Sequence, residues 1–342
     1  MFFIKKMGLT ATAVFFFFSC AAPEITGKTY AFIYGISDYS DYADSVGLSA
    51  ASLQACQFDA QSFADALSAA CGDSVEINLR IASNSTLIPS SDERPTKSRM
   101  LADFQEIASA LSTEDRFVFY FAGHGVSVRA SEVDDTDFGE YGETAVSFSD
   151  REYLCLSVEN PEEATEQKDV FLSDKELRDA LAEVPCERKF VFLDCCHSGG
   201  MISSYPDINA SIQNGFSNSK MHLAMQTYFN GRSTTEVQAH KNTWILAAAG
   251  ETGLSYESSS INHGFFTYAV LLAFAEGDRN GDGFISWSEL CAYAASACAL
   301  ILNEIDDISG SRKASGDMLV TCGSGAEEIL FVSVTPSIES VL

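Results

Sequence analysis

The sequence predicts an α/β domain with a mostly parallel central sheet and helices on both of its faces. Three observations carry this. Short apolar runs recur, as expected of strands buried on both sides. Between them, apolar residues repeat at intervals of three and four, the period of an amphipathic helix. The two patterns alternate along the chain, which implies right-handed crossovers between parallel strands.

Taken in order, Tyr30 to Ile36 is the first buried strand, and Leu53, Cys56, Ala60, Phe63 and Leu67 mark the helix after it. Val75, Ile77, Leu79 and Ile81 alternate with polar residues, the pattern of an edge or half-covered strand. Phe104, Ile107 and Leu111 mark a second helix, and Phe117 to Phe121 the next buried strand. A third helix has a signed start: Ser173 and Glu176 stand in capping-box positions, and Leu172 and Leu177 are placed to staple it. Pro185 ends it. Phe190 to Leu193 and Trp244 to Ala248 are further buried strands, and Ile329 to Val334 is a last one. Glu132 to Glu143, an acidic loop, and Ser203 to Lys241, a polar segment, read as insertions. No repeat or low-complexity linker divides the chain.

The chain has 342 residues, with 21 Lys and Arg against 48 Asp and Glu, a formal charge of −27. That balance excludes a nucleic-acid binder, whose affinity comes from clustered lysine and arginine. It favours cationic partners instead. With 46% hydrophobic residues and 25 phenylalanines, the chain buries enough apolar surface to fold.

Residues 1–20 read as an address. Lys5 and Lys6 precede an apolar run from Met7 to Phe18, too short to cross a hydrocarbon layer of about 30 Å. A basic start and a short apolar stretch describe a secretory signal. Ser19-Cys20-Ala21 at its exit resembles a bacterial lipoprotein signal, in which Cys20 becomes a lipidated N-terminus at the cell envelope. Phe17 and Phe18 depart from the usual Leu-Ala pattern, so plain secretion and an uncleaved anchor stay open. The other cysteines sit mostly in helical or strand patterns, where a thiol acts as a small apolar group, and their spacing does not decide any pairing.

Ligand sites of open parallel sheets lie at the carboxyl ends of the strands. Here Phe117 to Phe121 runs into Ala122-Gly123-His124-Gly125, and Phe190 to Leu193 runs into Asp194-Cys195-Cys196-His197-Ser198-Gly199. If the two strands are neighbours, an imidazole and a thiol meet at one sheet edge. A sulfur nucleophile needs a base beside it, and glycines beside His124 leave peptide N–H groups available to a developing oxyanion. Either segment alone is equally well explained by packing or a structural hydrogen bond. A zinc site at Cys195, Cys196 and His197 lacks ligand spacing.

Phe121-Ala122-Gly123-His124-Gly125 and Asp194-Cys195-Cys196-His197-Ser198-Gly199 resemble the histidine and cysteine motifs of the metacaspases and their bacterial caspase-like relatives. The strand at Ala31 to Ile36, the helix around Leu172 to Val184 and His263-Gly264-Phe265-Phe266-Thr267-Tyr268 resemble further parts of that family. The resemblance implies a caspase-like fold over residues 28–342 and a Cys-His dyad endopeptidase. It places the nucleophile on Cys196, the general base on His124, and the oxyanion hole on the amides of Gly125 and Cys196. Cys195 is then a packed neighbour, and His263 reads as structural. Metacaspases cleave after arginine or lysine, so the resemblance puts Asp194 and Asp59 in the substrate pocket. Phe58 and Ala122 depart from the family pattern, which has asparagine and often serine there. The partners implied are proteins or peptides with basic residues, and Lys220, Arg232 and Lys241 are candidate self-cleavage points. The alternative from another class is a non-catalytic caspase-fold scaffold at the cell surface.

Residues 278–289 match a twelve-residue calcium loop. Asp278, Asn280 and Asp282 offer side-chain oxygens, Phe284 its carbonyl and Glu289 a bidentate carboxylate, while Gly283 makes the turn. Helical patterns flank it, but sensor hands come in pairs and this one is single, so a rigid connector and an activating role both stay open. No organic cofactor is called for.

Overall fold

A computed structural model describes residues 25, 27–47, 50, 52–129, 150–196, 243–248, 257–258, 261–304, 320–322 and 330–333. The expected signal at 1–20 with Cys20, the insertions at 132–143 and 203–241 with Lys220, Arg232 and Lys241, and His197 lie outside these residues.

The first strand, β1 (Thr29–Ile36), is buried along its whole length. A short turn of helix, α1 (Tyr42–Ser45), leads to the long α2 (Cys56–Cys71), which buries Cys56, Asp59, Ala60, Phe63 and Leu67. After β2 (Val75–Ala82) comes α3 (Lys97–Ala108), capped by Thr96, whose hydroxyl oxygen accepts from Arg99 N–H. Next are β3 (Arg116–Arg129), β4 (Asp150–Cys155) and β5 (Phe171–Ser173). Helix α4 (Asp174–Glu183) opens on the predicted reciprocal capping box of Ser173 and Glu176. Strands β6 (Arg188–Cys196) and β7 (Thr243–Ala247) follow, then the small hairpin β8 (Glu257–Ser258) and β9 (His263–Gly264). The chain continues through α5 (Phe265–Glu276), β10 (Phe284–Ser286), α6 (Trp287–Glu304), β11 (Val320–Cys322) and β12 (Leu330–Ser333).

The main sheet has the order β11-β7-β6-β3-β1-β2, parallel from β7 to β2, with β11 antiparallel at one edge. β2 lies at the other edge and is half covered, as its alternating sequence requires. Adjacent residues of a strand face opposite sides of the sheet, and the aromatic side chains show what covers each. Phe104 of α3 packs on Phe32, Phe117 and Phe119, with ring centroids 5.4, 5.7 and 5.6 Å away. On the other side Phe63 of α2 stacks on Tyr120 at 4.4 Å and meets Phe192 at 5.0 Å and Phe274 of α5 at 5.8 Å.

Two features depart from the sequence pattern. β3 does not stop at Phe121 but runs through the glycines to Arg129, because its far half leaves β6 and pairs antiparallel with β4. β4 in turn pairs with β5, an extension that no apolar alternation announced. Cys155, Cys186 and Cys298 are buried free thiols, and burial pushes those of Cys186 and Cys298 up to about 11 and about 12. They pack as small apolar groups.

Candidate active site

β3 and β6 are adjacent parallel strands, and their register ends Ala122↔Asp194, Gly123↔Cys195, His124↔Cys196. Strand neighbours stand about 4.8 Å apart, so the backbones of His124 and Cys196 lie side by side at the carboxyl edge. Cys196 is the last residue of β6, and Cys195 before it is fully buried. Gly125 stands in register with Leu154, where β3 turns from β6 to β4.

His124 is buried and braced by a residue the sequence did not single out. Tyr39, three residues past β1, accepts the His124 N–H on its hydroxyl at 2.8 Å and donates to the Cys155 carbonyl at 3.1 Å. Its ring lies 4.5 Å from the imidazole, tilted by 47°. Gly123 makes room for it: a Cβ there would stand 2.7 Å from the Tyr39 hydroxyl. The contact joins residues 85 positions apart, and nothing local marks one tyrosine among twelve.

The two aspartates the family resemblance selected also meet. Asp59, from the first turn of α2, and Asp194, two residues before Cys196, are 1% and 2% exposed. A Cβ on Gly264 would stand 2.7 Å from Asp194 Oδ2 and 3.3 Å from Asp59 Oδ2, so both carboxyls converge on a glycine. Gly264 N–H donates to both oxygens of Asp59 at 3.1 Å, and His263 Nδ1 lies 2.7 Å from Asp59 Oδ1. Thr267 donates its hydroxyl to Asp194 Oδ2 at 2.6 Å and its N–H at 3.3 Å. Burial and then the charge of Asp194 hold the Asp59 carboxyl well above the usual carboxylate range. Burial pushes the His263 imidazole down to about 4, so it stays neutral at physiological pH. His263, expected to be structural, is hydrogen-bonded to Asp59, one of the two acids the resemblance selected.

An open cleft of about 390 Å³ flanks this group, between the start of α2 and the β8–β9 hairpin, lined among others by Gln57, Asn84, Glu257 and Asn262. Glu257 caps α2 from across the cleft, accepting Ala55 N–H at 2.9 Å.

Behind the domain, the loop between α5 and α6 is closed by its own carboxylates. Asp278 accepts from Gly281, Asp282 and Gly283 N–H groups, Asp282 from Phe284 N–H, and Asn280 from Asp282 N–H. Glu289 accepts from Arg279, Asn280 and Ser286 N–H groups, which holds its carboxyl below the usual range despite partial burial. Its strand β10, residues 7 to 9 of the loop, pairs with β12 rather than with a second loop. The oxygen-only donor set suits calcium. Among the described residues, however, no three acidic, histidine or cysteine side chains already stand close enough to hold a metal.

A parallel sheet carrying a histidine and a cysteine in register at its carboxyl edge, flanked by helices in this order, is the architecture of a caspase-like peptidase domain. The chain belongs to that family: residues 28–288 match the caspase domain of the C14 peptidases. Among solved structures, protein GSU0716 from Geobacter sulfurreducens is similar, with 19% identity over 87% of this chain and 94% of that one, and a TM-score of 0.50. Caspase-1 from Spodoptera frugiperda covers 89% of this chain and 88% of its own, at 10% identity and a TM-score of 0.44. No curated protein matches the sequence.

Proposed function

We propose that the protein is a cysteine endopeptidase that cleaves peptide bonds after arginine or lysine. The observation behind this is the register of β3 and β6, which sets His124 beside Cys196 and carries Asp194 to the same edge. His124 takes the Cys196 thiol proton as the sulfur attacks the scissile carbonyl carbon. The C–N bond then breaks and His124 returns the proton to the leaving amine. The N–H groups of Gly125 and Cys196 hold the oxyanion, each such donor being worth about 10²- to 10³-fold in rate. Water, activated by the same imidazole, releases the acyl group. Two carboxylates brought together out of water recognise a cationic side chain, because a cation offsets both their mutual repulsion and their desolvation.

The test is hydrolysis of fluorogenic peptides ending in Arg or Lys by the mature chain in reducing buffer with calcium. Cys196→Ala should abolish it, and equal hydrolysis by that variant removes the nucleophile assignment. Preference for peptides ending in Asp removes the pocket assignment.

For calcium, Asp278, Asn280, Asp282, the Phe284 carbonyl and Glu289 would hold the ion, and its chemistry there is to fix the α5–α6 connection. Residues 1–20 support export with a lipid on Cys20 at a bacterial envelope, which mass spectrometry of the mature N-terminus tests.

A further inference from the structure

Two carboxylates select a cation only if something holds them in place, since like charges at close range turn away from each other. In this protein both are held by one turn of chain. Asn262, with φ +53, turns the β8–β9 hairpin so that His263 and Gly264 meet Asp59, and α5 begins at the next residue. Thr267, fully buried in the first turn of α5, donates to Asp194. Its hydroxyl oxygen also lies 2.6 Å from the Tyr120 hydroxyl. Thr267 has one hydroxyl proton and gives it to Asp194, so Tyr120 is the donor to Thr267. The result is a directed chain, Tyr120 to Thr267 to Asp194, in which each hydrogen bond strengthens the next.

We propose that Thr267 and His263 are positioning residues of the basic-side-chain pocket. Thr267, backed by Tyr120, fixes the Asp194 carboxylate, and His263 fixes that of Asp59, so that the two stay together beside Gly264 for one guanidinium or ammonium. The proposal rests on the reading above that this pocket takes a basic side chain. It adds that affinity for that side chain is set from β9 and the first turn of α5, remote in sequence from both acids.

The experiment compares wild type, Thr267→Val, Thr267→Ser and His263→Gln on an arginine-ended peptide, reading KM and kcat separately. Valine keeps the shape and removes the donor, serine keeps the donor. A buried hydrogen bond to a charged group predicts KM rising roughly tenfold to a hundredfold in Thr267→Val with kcat changed by less than about threefold. Thr267→Ser should restore the wild-type KM, and His263→Gln should raise KM as well. An unchanged KM in both Thr267→Val and His263→Gln, or a loss confined to kcat, overturns the proposal while leaving the pocket reading intact. If valine at 267 prevents folding, judged by circular dichroism, Tyr120→Phe carries the same comparison from one bond further out. A wild type that cleaves no basic peptide overturns both readings together.

Discussion

Replacing Asp59 with asparagine keeps the outline of the side chain and removes its ability to ionise. In an unfolded chain the aspartate ionises near pH 3.9. In the folded protein burial comes first, then the charge of Asp194, and together they keep the carboxyl protonated to well above that. Between these limits the folded state holds one proton more than the unfolded state. Stability therefore falls as pH rises, by about 1.4 kcal/mol per pH unit. Asparagine carries no such slope and can still accept from Gly264 N–H. Asp59→Asn should thus be more stable than the parent, by a margin that widens from about pH 4 upwards until the native carboxyl ionises. His263 works in the opposite sense. Its folded value near 4 lies below the unfolded 6.5, so its contribution is present above 6.5 and is lost as pH falls towards 4. Burial, the cause of that shift, is kept in the variant, so most of the loss cancels in the difference. The assay is urea unfolding at several pH values, with both proteins carrying Cys196→Ala so that no proteolysis enters the measurement. A margin independent of pH, or an asparagine variant less stable throughout, would mean that Asp59 is ionised and paired with a charged His263, and the argument would fail. If the pocket takes a basic side chain as proposed, the same substitution should weaken cleavage after arginine and lysine, as expected where a site is kept for function at the expense of stability.

Other outcomes follow from the same contacts. On the proposed pocket, KM for arginine-ended peptides should fall as pH rises through the raised titration of Asp59, because that carboxyl must release its proton to meet a cation, and this trend should be missing in Asp59→Asn. Tyr39→Phe leaves the buried His124 N–H and the Cys155 carbonyl without the bridging hydroxyl, at a cost of about 1–3 kcal/mol that thermal unfolding should show as a fall of several degrees. Gly123→Ala should be damaging by overcrowding, its Cβ meeting both the Tyr39 hydroxyl and Phe121. Calcium at a hundred times its dissociation constant should raise stability by about 2.7 kcal/mol, reversed by a chelator and lost in Glu289→Gln. A melting temperature indifferent to calcium would leave the loop as a plain connector.

What could be read in advance follows a physical division. Buried parallel strands need apolar runs whatever their neighbours, and a helix start such as Ser173 with Glu176 is settled within four residues, so both were visible in the sequence. The meeting of His124 with Cys196 was visible only as a condition, because strand order is a tertiary property; the register supplies it. The far half of β3 was hidden by its glycines, which locally read as a strand end and are overridden by pairing with β4. Asp59 came from family resemblance alone. Tyr39, Thr267 and the partner of His263 could not have been found residue by residue, since their contacts span 85, 73 and 204 positions. These are the groups that brace His124 and the acid pair, and each does so through one or two polar atoms. A scaffold advertises itself in the periodicity of many apolar residues, whereas the bracing of a site depends on one hydroxyl or one ring nitrogen arriving from elsewhere in the chain. That is why substitutions at Tyr39 and Thr267, rather than at the two motif residues alone, separate a working peptidase from a fold that merely retains its motifs.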